Sequence, residues 1–390
     1  MLRRILLATT FATSISAAYA ADEVRIGFVA TFTGANAMLG SELLDGFKLG
    51  LQKSGDKLGG LPVKLIIGDD QAKPDVGRQL ADKIVEQDKV NIVVGMNFAN
   101  VLLAVAKPVL KSETFLFSVG TGPSQLAGKL CNPYFFVPSY QNDGPAEAMG
   151  AYMTKQNISG VYLLAPNYPA GKDLIAGFKR FYKGEIVKEV YTKLDQLDFA
   201  AELAELRSAK PKAVFFFYPG SLGISFIKQY DDAGLKKTIP LYGPSFSFDQ
   251  TIFPAVGDAP IGSTAAAPWT EKIDNPENKE FVANFEKAYG RLPSGYAAQG
   301  YDTARLFDAA ISQVDGKIED KEAFRNALRK ADFNSIRGPF KFNSNQYPIQ
   351  NYYIAHVEKD AQGRTIMNPF ETGLTDHQDA YASECPMDAQ

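Results

Sequence analysis

From Val24 onward the apolar positions follow two alternating patterns. Short runs of β-branched and aromatic residues at Val24 to Val29, Val63 to Ile67, Asn91 to Val94 and Phe115 to Val119 predict buried strands. Between them, Ser41 to Lys53, Asp75 to Glu86 and Val101 to Leu110 carry apolar residues at helical spacing. A second series repeats the pattern, with strands at Val161 to Leu164, Ile186 to Tyr191 and Ala213 to Phe217. Helices at Gly171 to Tyr182, Phe199 to Ser208 and Leu222 to Ala233 are interleaved with them. Alternation of this kind predicts two βαβ units in tandem, each with a mainly parallel sheet. After Pro268 the character changes: Glu277 to Tyr289, Ala297 to Gln313 and Lys321 to Arg329 are helical and are closed by Gly338-Pro339. Helices without strands of their own must cover another sheet, so this stretch is expected to return to the first unit. The predicted organisation is an N-terminal lobe of residues 21–139 plus 268–342 and a C-terminal lobe of 140–267 plus 343–390. Several chain crossings would join them around a hinged cleft.

The first twenty residues stand outside this pattern. Met1, Leu2, Arg3 and Arg4 precede the apolar run Ile5 to Ala12, and Ala18-Tyr19-Ala20 supplies an A-x-A site before Ala21. This is the form of a cleavable secretory signal, residues 1–20. No later stretch reaches the roughly 20 apolar residues of a membrane helix, so a soluble periplasmic protein is expected. Without Arg3 and Arg4, 39 of the 41 basic residues remain against 44 acidic ones, a side-chain net charge of −5. That balance gives no surface for nucleic acid. The only cysteines, Cys131 and Cys385, form an even pair in an exported chain and are read as a disulfide, the alternative being two buried thiols.

Catalytic and metal motifs are missing from the sequence. His356 and His377 do not have paired metal-ligand spacing, and the cysteines are too far apart for C-x-x-C. Gly120-Thr121-Gly122 lacks the third glycine of a dinucleotide fingerprint, and Gly220-Ser221-Leu222-Gly223 is not a nucleophile elbow. Asp69-Asp70 reads as a polar strand end. No enzyme, cofactor or metal is expected. Two loops instead suggest anion capture: Val94-Gly95-Met96-Asn97-Phe98-Ala99-Asn100 and Ser118-Val119-Gly120-Thr121-Gly122-Pro123-Ser124. Each combines glycine with amide or hydroxyl donors at the carboxyl end of a predicted strand. The plainer alternative is that these polar residues only cap helices.

The order and spacing of Ile26-Gly27 through Thr33-Gly34, Gly40-x5-Gly46, Gly68-Asp69-Asp70, Val94-Gly95, Gly171, Gly243-Pro244 and Pro293-Ser294-Gly295 carry a resemblance over nearly the whole mature chain. The sequence resembles the solute receptors of ABC transporters related to the leucine/isoleucine/valine-binding protein. The resemblance implies an α/β fold of two Rossmann-like lobes, the type I periplasmic binding protein. It also implies a non-enzymatic role and a membrane permease as partner; a monomer suffices for that role.

In the amino-acid receptors a hydroxyl residue beyond the V-G strand end and the Thr of a T-x-P motif hold the ligand carboxylate. Here these fall on Ala99 or Asn100 and on Thr121, flanked by Ser118 and Gly120. The family's tyrosine before the second lobe's glycine-marked helix is matched by Tyr168. The glutamate that follows Gly-Pro and pairs with the ligand ammonium is replaced by Ser245, which puts an α-amino acid ligand in doubt. Leu39, Phe98, Tyr218, Phe246 and Tyr296 complete the expected cleft set. Rings on several sides and a carboxylate hook suit an aromatic acid, benzoate- or phenylpropanoid-like. The alternatives are a receptor for a branched-chain or other amino acid or amide, or a ligand sensor for a membrane signalling partner.

Overall fold

The computed structural model describes residues 23–389; the predicted signal segment lies outside them. The first half runs β1 (Val24–Ala30), α1 (Ala37–Lys53), β2 (Lys57–Leu58), β3 (Leu61–Asp69), α2 (Pro74–Glu86), β4 (Ile92–Gly95), α3 (Ala99–Lys111), β5 (Phe115–Ser118) and β6 (Phe135–Phe136). These strands form one sheet in the order β2-β3-β1-β4-β5-β6, parallel except for the β2–β3 hairpin. The predicted strands are all present. The first helix begins four residues earlier than its apolar spacing suggested, at Ala37.

The second half runs α4 (Asp143–Lys155), β7 (Val161–Pro166), α5 (Pro169–Phe181), β8 (Ile186–Thr192), α6 (Ala200–Ala209), β9 (Ala213–Phe216), α7 (Ser221–Asp232), β10 (Leu241–Pro244), α8 (Phe253–Val256) and β11 (Thr264–Ala267). It continues through α9 (Pro276–Tyr289), α10 (Gly295–Gln313) and α11 (Lys321–Lys330) to β12 (Lys341–Phe342), β13 (Pro348–Lys359) and β14 (Thr365–His377). The second sheet has the order β12-β13-β11-β10-β9-β7-β8, with β14 pairing β13 antiparallel. In the first sheet β1 lies between β3 and β4, and in the second β7 lies between β8 and β9. Each lobe therefore has a topological switch point at its strand ends, where open α/β sheets bind ligands.

Helix α10 explains the late helical stretch. It packs along α1 at a separation only glycine allows: a β-carbon on Gly46 would stand 1.9 Å from the Ala297 carbonyl oxygen, and one on Gly300 2.1 Å from that of Leu43. The chain thus crosses from the first sheet to the second after β6, returns after β11 and crosses again after α11. Arg337 ties these segments together. It is 4 % exposed and donates to Asp302 of α10 (2.9 Å), to the carbonyls of Pro138 (2.7 Å) and Ser139 (2.8 Å), and to Gln350 of β13 (2.8 Å). Its guanidinium also lies 4.6 Å from the centre of the Phe340 ring.

Cys131 and Cys385 are bonded, which ties the C-terminal tail to the loop after β5 across 254 residues of sequence. The tail also reaches the second lobe, where the Tyr381 hydroxyl donates to Asp143 (2.8 Å) and Arg180 of α5 donates to the Tyr381 oxygen (3.1 Å).

Candidate functional site

At the end of β4 the backbone leaves the strand through two successive left-handed residues, Gly95 (φ +129°) and Met96 (φ +58°). Such a turn is unusual for a side chain as large as methionine and directs the next residue away from the sheet. That residue, Asn97, is 5 % exposed. Its Oδ1 accepts the Thr31 backbone N–H from the neighbouring strand end at 3.1 Å, which fixes the amide orientation. Its Nδ2 is buried without a hydrogen-bond partner and borders the interlobe cavity. An unmatched buried donor costs about 1–3 kcal/mol, and a ligand oxygen would supply what it lacks.

The loop after β5 forms the adjoining wall. Gly120 and Thr121 face the cavity, and the Tyr140 hydroxyl holds the Gly120 carbonyl at 2.8 Å. Thr121 Oγ1 donates to Asn142 Oδ1 (3.1 Å), and Asn142 Nδ2 donates to Asp173 of α5 (3.0 Å). Asp173 also accepts from the Ser124 hydroxyl (2.6 Å) and N–H (3.1 Å), so this polar chain runs from the first lobe into the second. Burial raises the Asp173 carboxyl above its usual range, against the lowering effect of these donors.

Aromatic rings enclose the rest. Tyr140 stacks on Phe246 with centroids 4.3 Å apart at 23°, Phe246 meets Tyr296 at 5.6 Å, and Tyr168 lies parallel to Phe217 at 6.3 Å. Together with Ala170, Leu174 and Pro219 these groups bound a narrow slot that the closed walls almost fill. Burial drives the phenols of Tyr140, Tyr168 and Tyr296 far above their ordinary value, so they face the slot uncharged. A broader open groove between α2 and α3, bordered by Arg78, Glu86 and Lys107, lies away from the strand ends.

Of the residues expected from sequence, the structure gathers Gly120, Thr121, Tyr168, Phe246 and Tyr296 around this slot. The others do not line it. Tyr218 turns into the second lobe's core, accepts from the Thr192 hydroxyl at 3.1 Å and packs on Phe199 and Phe226; Phe217, one residue earlier, faces the slot. Phe98 and Ala99 are buried at the start of α3, and Asn100 is on that helix's first turn with Oδ1 unpartnered. Ser118 donates beneath the loop to the Thr121 carbonyl. Ser245 is buried in a short turn, and its carbonyl accepts from Phe248 N–H at 2.8 Å. Leu39 lies at the rim, against Gly220. Asn97 lies in a loop expected to capture an anion but was not named in the cleft set, and Tyr140, Asn142, Ala170, Leu174, Phe217 and Pro219 were not singled out from sequence. Among the described residues, no group of histidine, cysteine or acidic side chains is placed to hold a metal ion.

The rim contact joins the two lobes. Asn36, before α1, accepts from the backbone N–H (3.1 Å) and hydroxyl (3.2 Å) of Ser221, at the start of α7. Gly220 has φ +56°, and a β-carbon there would stand 2.4 Å from Asn36 Oδ1. Gly220→Ala is therefore expected to oppose closure and weaken ligand binding by about 1–3 kcal/mol without touching the ligand. Titration calorimetry checks this, and adding Asn36→Ala should restore part of the loss by removing the collision.

Two α/β sheets whose switch points face each other across a slot bounded by both lobes define a two-lobed binding protein. The chain belongs to the periplasmic binding protein family, whose model matches residues 23–362. A Leu/Ile/Val-binding protein homologue of Brucella melitensis is 26% identical over 372 residues, covering 93% of this chain and 94% of the relative. Among solved structures, an ABC-transporter solute-binding protein of R. palustris in complex with benzoate superposes with a TM-score of 0.87 at 29% identity, covering 92% of this chain and 98% of that one. A second, from Rhodopseudomonas palustris BisB5 in complex with 3,4-dihydroxybenzoic acid, gives 0.85 at 30% identity over 92% and 99%. The family's members are solute-binding proteins. No helix among the described residues is long and apolar enough to cross a membrane.

Proposed function

We propose that this protein is the periplasmic receptor of an ABC importer for a small aromatic carboxylate, benzoate-like in shape. The observation that carries the reading is the make-up of the slot. Five rings, Tyr140, Tyr168, Phe217, Phe246 and Tyr296, bound a narrow space into which Asn97 presents an unpartnered amide donor. A planar ring gains from burial among such faces, while its carboxylate answers the donor. Ser245 stands where an amino-acid receptor carries its ammonium partner, which weighs against an α-amino acid. The two structural relatives with a benzoate or a dihydroxybenzoate bound are consistent with this reading.

In this account the lobes are residues 21–139 plus 268–342 and 140–267 plus 343–390. Lys341 and Phe342 lie on the boundary: they pair with β13, while the Phe342 ring packs on Phe136 of the first lobe. Ligand bridging both walls favours the closed form, which the permease recognises, and a monomer suffices.

A branched-chain amino acid is the second reading, favoured by the curated relatives named for leucine, isoleucine and valine. Thermal denaturation of ligand-stripped protein against aromatic acids, aliphatic acids and amino acids separates the two, because a ligand that binds only the folded state raises the midpoint. The proposal expects shifts with aromatic carboxylates. Shifts confined to amino acids would refute it.

A further inference from the structure

Behind the Phe246 and Tyr296 wall lies a buried carboxyl group of which the fold uses only half. Asp249 is 1 % exposed. Its Oδ1 accepts from the Thr251 backbone N–H at 2.9 Å and from the Thr251 hydroxyl, and its carbonyl accepts from Ile252 (2.9 Å) and Phe253 (3.0 Å). Those contacts complete the turn into α8. Oδ2 makes no hydrogen bond of good geometry; the donor nearest to hand is the backbone N–H of Gly295 at the start of α10.

It lies next to the slot without lining it. A β-carbon on Gly295 would stand 3.7 Å from Oδ2 and 3.8 Å from Cε1 of Phe246, so this oxygen and that ring both flank the start of α10, next to Tyr296. Phe246 in turn packs on both Tyr140 and Tyr296, the rings that line the slot. The turn itself requires a single side-chain oxygen, which an asparagine would supply equally well. A second carboxylate oxygen left buried with at most a poorly aligned backbone donor retains accepting capacity that another molecule can use.

We propose that Asp249 is a specificity-determining residue whose Oδ2 accepts a hydrogen bond from an O–H or N–H group that the ligand carries in addition to its carboxylate. On the aromatic-acid reading, on which this inference rests, the donor is a ring hydroxyl. An amino acid would offer its ammonium group to the same oxygen. Asp249 would then supply the acidic function that Ser245 lacks, from four residues further along the chain.

Titration calorimetry with benzoate, 4-hydroxybenzoate and leucine, on the full mature chain and on Asp249→Asn, tests the assignment. The unaltered protein is expected to bind 4-hydroxybenzoate about tenfold or more tightly than benzoate, the scale of one charge-assisted hydrogen bond. Asp249→Asn keeps the Oδ1 contacts of the turn, so its melting temperature should stay close to that of the parent. Its affinity for benzoate should change by about twofold at most, and the preference for the hydroxylated ring should disappear. Asp249→Ala, which can neither accept nor donate, should give the same order and guards against a new bond from the asparagine amide. If the parent binds leucine and not the aromatic acids, loss of leucine binding in both variants upholds the role of Asp249 while the aromatic reading falls. A preference for 4-hydroxybenzoate that survives in both variants, equal weakening of both aromatic ligands, or binding of neither class by the parent overturns the assignment.

Discussion

Replacing Arg337 by methionine is expected to destabilise the protein by about 3–5 kcal/mol, the cost of removing one partner from a buried ion pair. The arginine and Asp302 are 3 % and 1 % exposed at their side chains, and the pair is 2.9 Å long. Asp302 would keep the Ser335 hydroxyl (2.5 Å) and the Ile336 N–H (3.1 Å). The carbonyls of Pro138 and Ser139 would lose their guanidinium donors, and they belong to the first chain crossing. Lysine preserves the charge but cannot fork to four acceptors, so Arg337→Lys should recover only part of the loss. Urea denaturation reads this as a lower midpoint with little change in slope. A midpoint unchanged in Arg337→Met would show that the crossings do not depend on this residue.

A second large effect is expected at Asn97, this time on binding. Asn97→Asp retains an oxygen to accept the Thr31 N–H but replaces the free amide donor by an acceptor carrying negative charge. A carboxylate ligand would lose a charge-assisted hydrogen bond, about 1.5–3 kcal/mol, and meet like charge in addition. Affinity for the aromatic acid should fall by at least about 100-fold at pH 8, with the fold intact by circular dichroism. Equal affinity in the variant would remove Asn97 from the carboxylate site.

The extent to which these features were legible in the sequence follows from their surroundings. Strands β1, β3, β7, β8 and β9 are runs of β-branched and aromatic residues, and that composition announces a strand whatever lies around it. Helix α4 was missed because it has no polar face to create a period: Asp143, Glu147 and Met149 are all buried. Strands β10 and β11, Leu-Tyr-Gly-Pro and Thr-Ala-Ala-Ala, have weak strand propensity and are defined by their neighbours in the sheet. The long β13–β14 hairpin carries several register shifts and many half-exposed positions, which blur the period of two.

The slot divides in the same way. Gly120, Thr121 and Tyr168 lie in glycine-marked loops beyond strands, where composition and family resemblance agree. Asn97 was passed over for Ala99 and Asn100 because the left-handed turn at Gly95 and Met96 directs the earlier residue to the cavity, and no spacing rule reveals that. Tyr140 and Asn142 belong to a chain crossing, which has no period at all. Phe217 displaced Tyr218 because β9 ends at Phe216, and beyond a strand end the alternation of faces no longer decides which ring points where.

The central claim is that the slot takes an aromatic carboxylate, and direct titration of benzoate and isoleucine into ligand-stripped protein over a range of temperatures tests it most directly. The account predicts one benzoate per chain with a negative heat-capacity change, the mark of apolar surface buried on binding, and no heat of binding from isoleucine. Saturable binding of isoleucine with none of benzoate would contradict it.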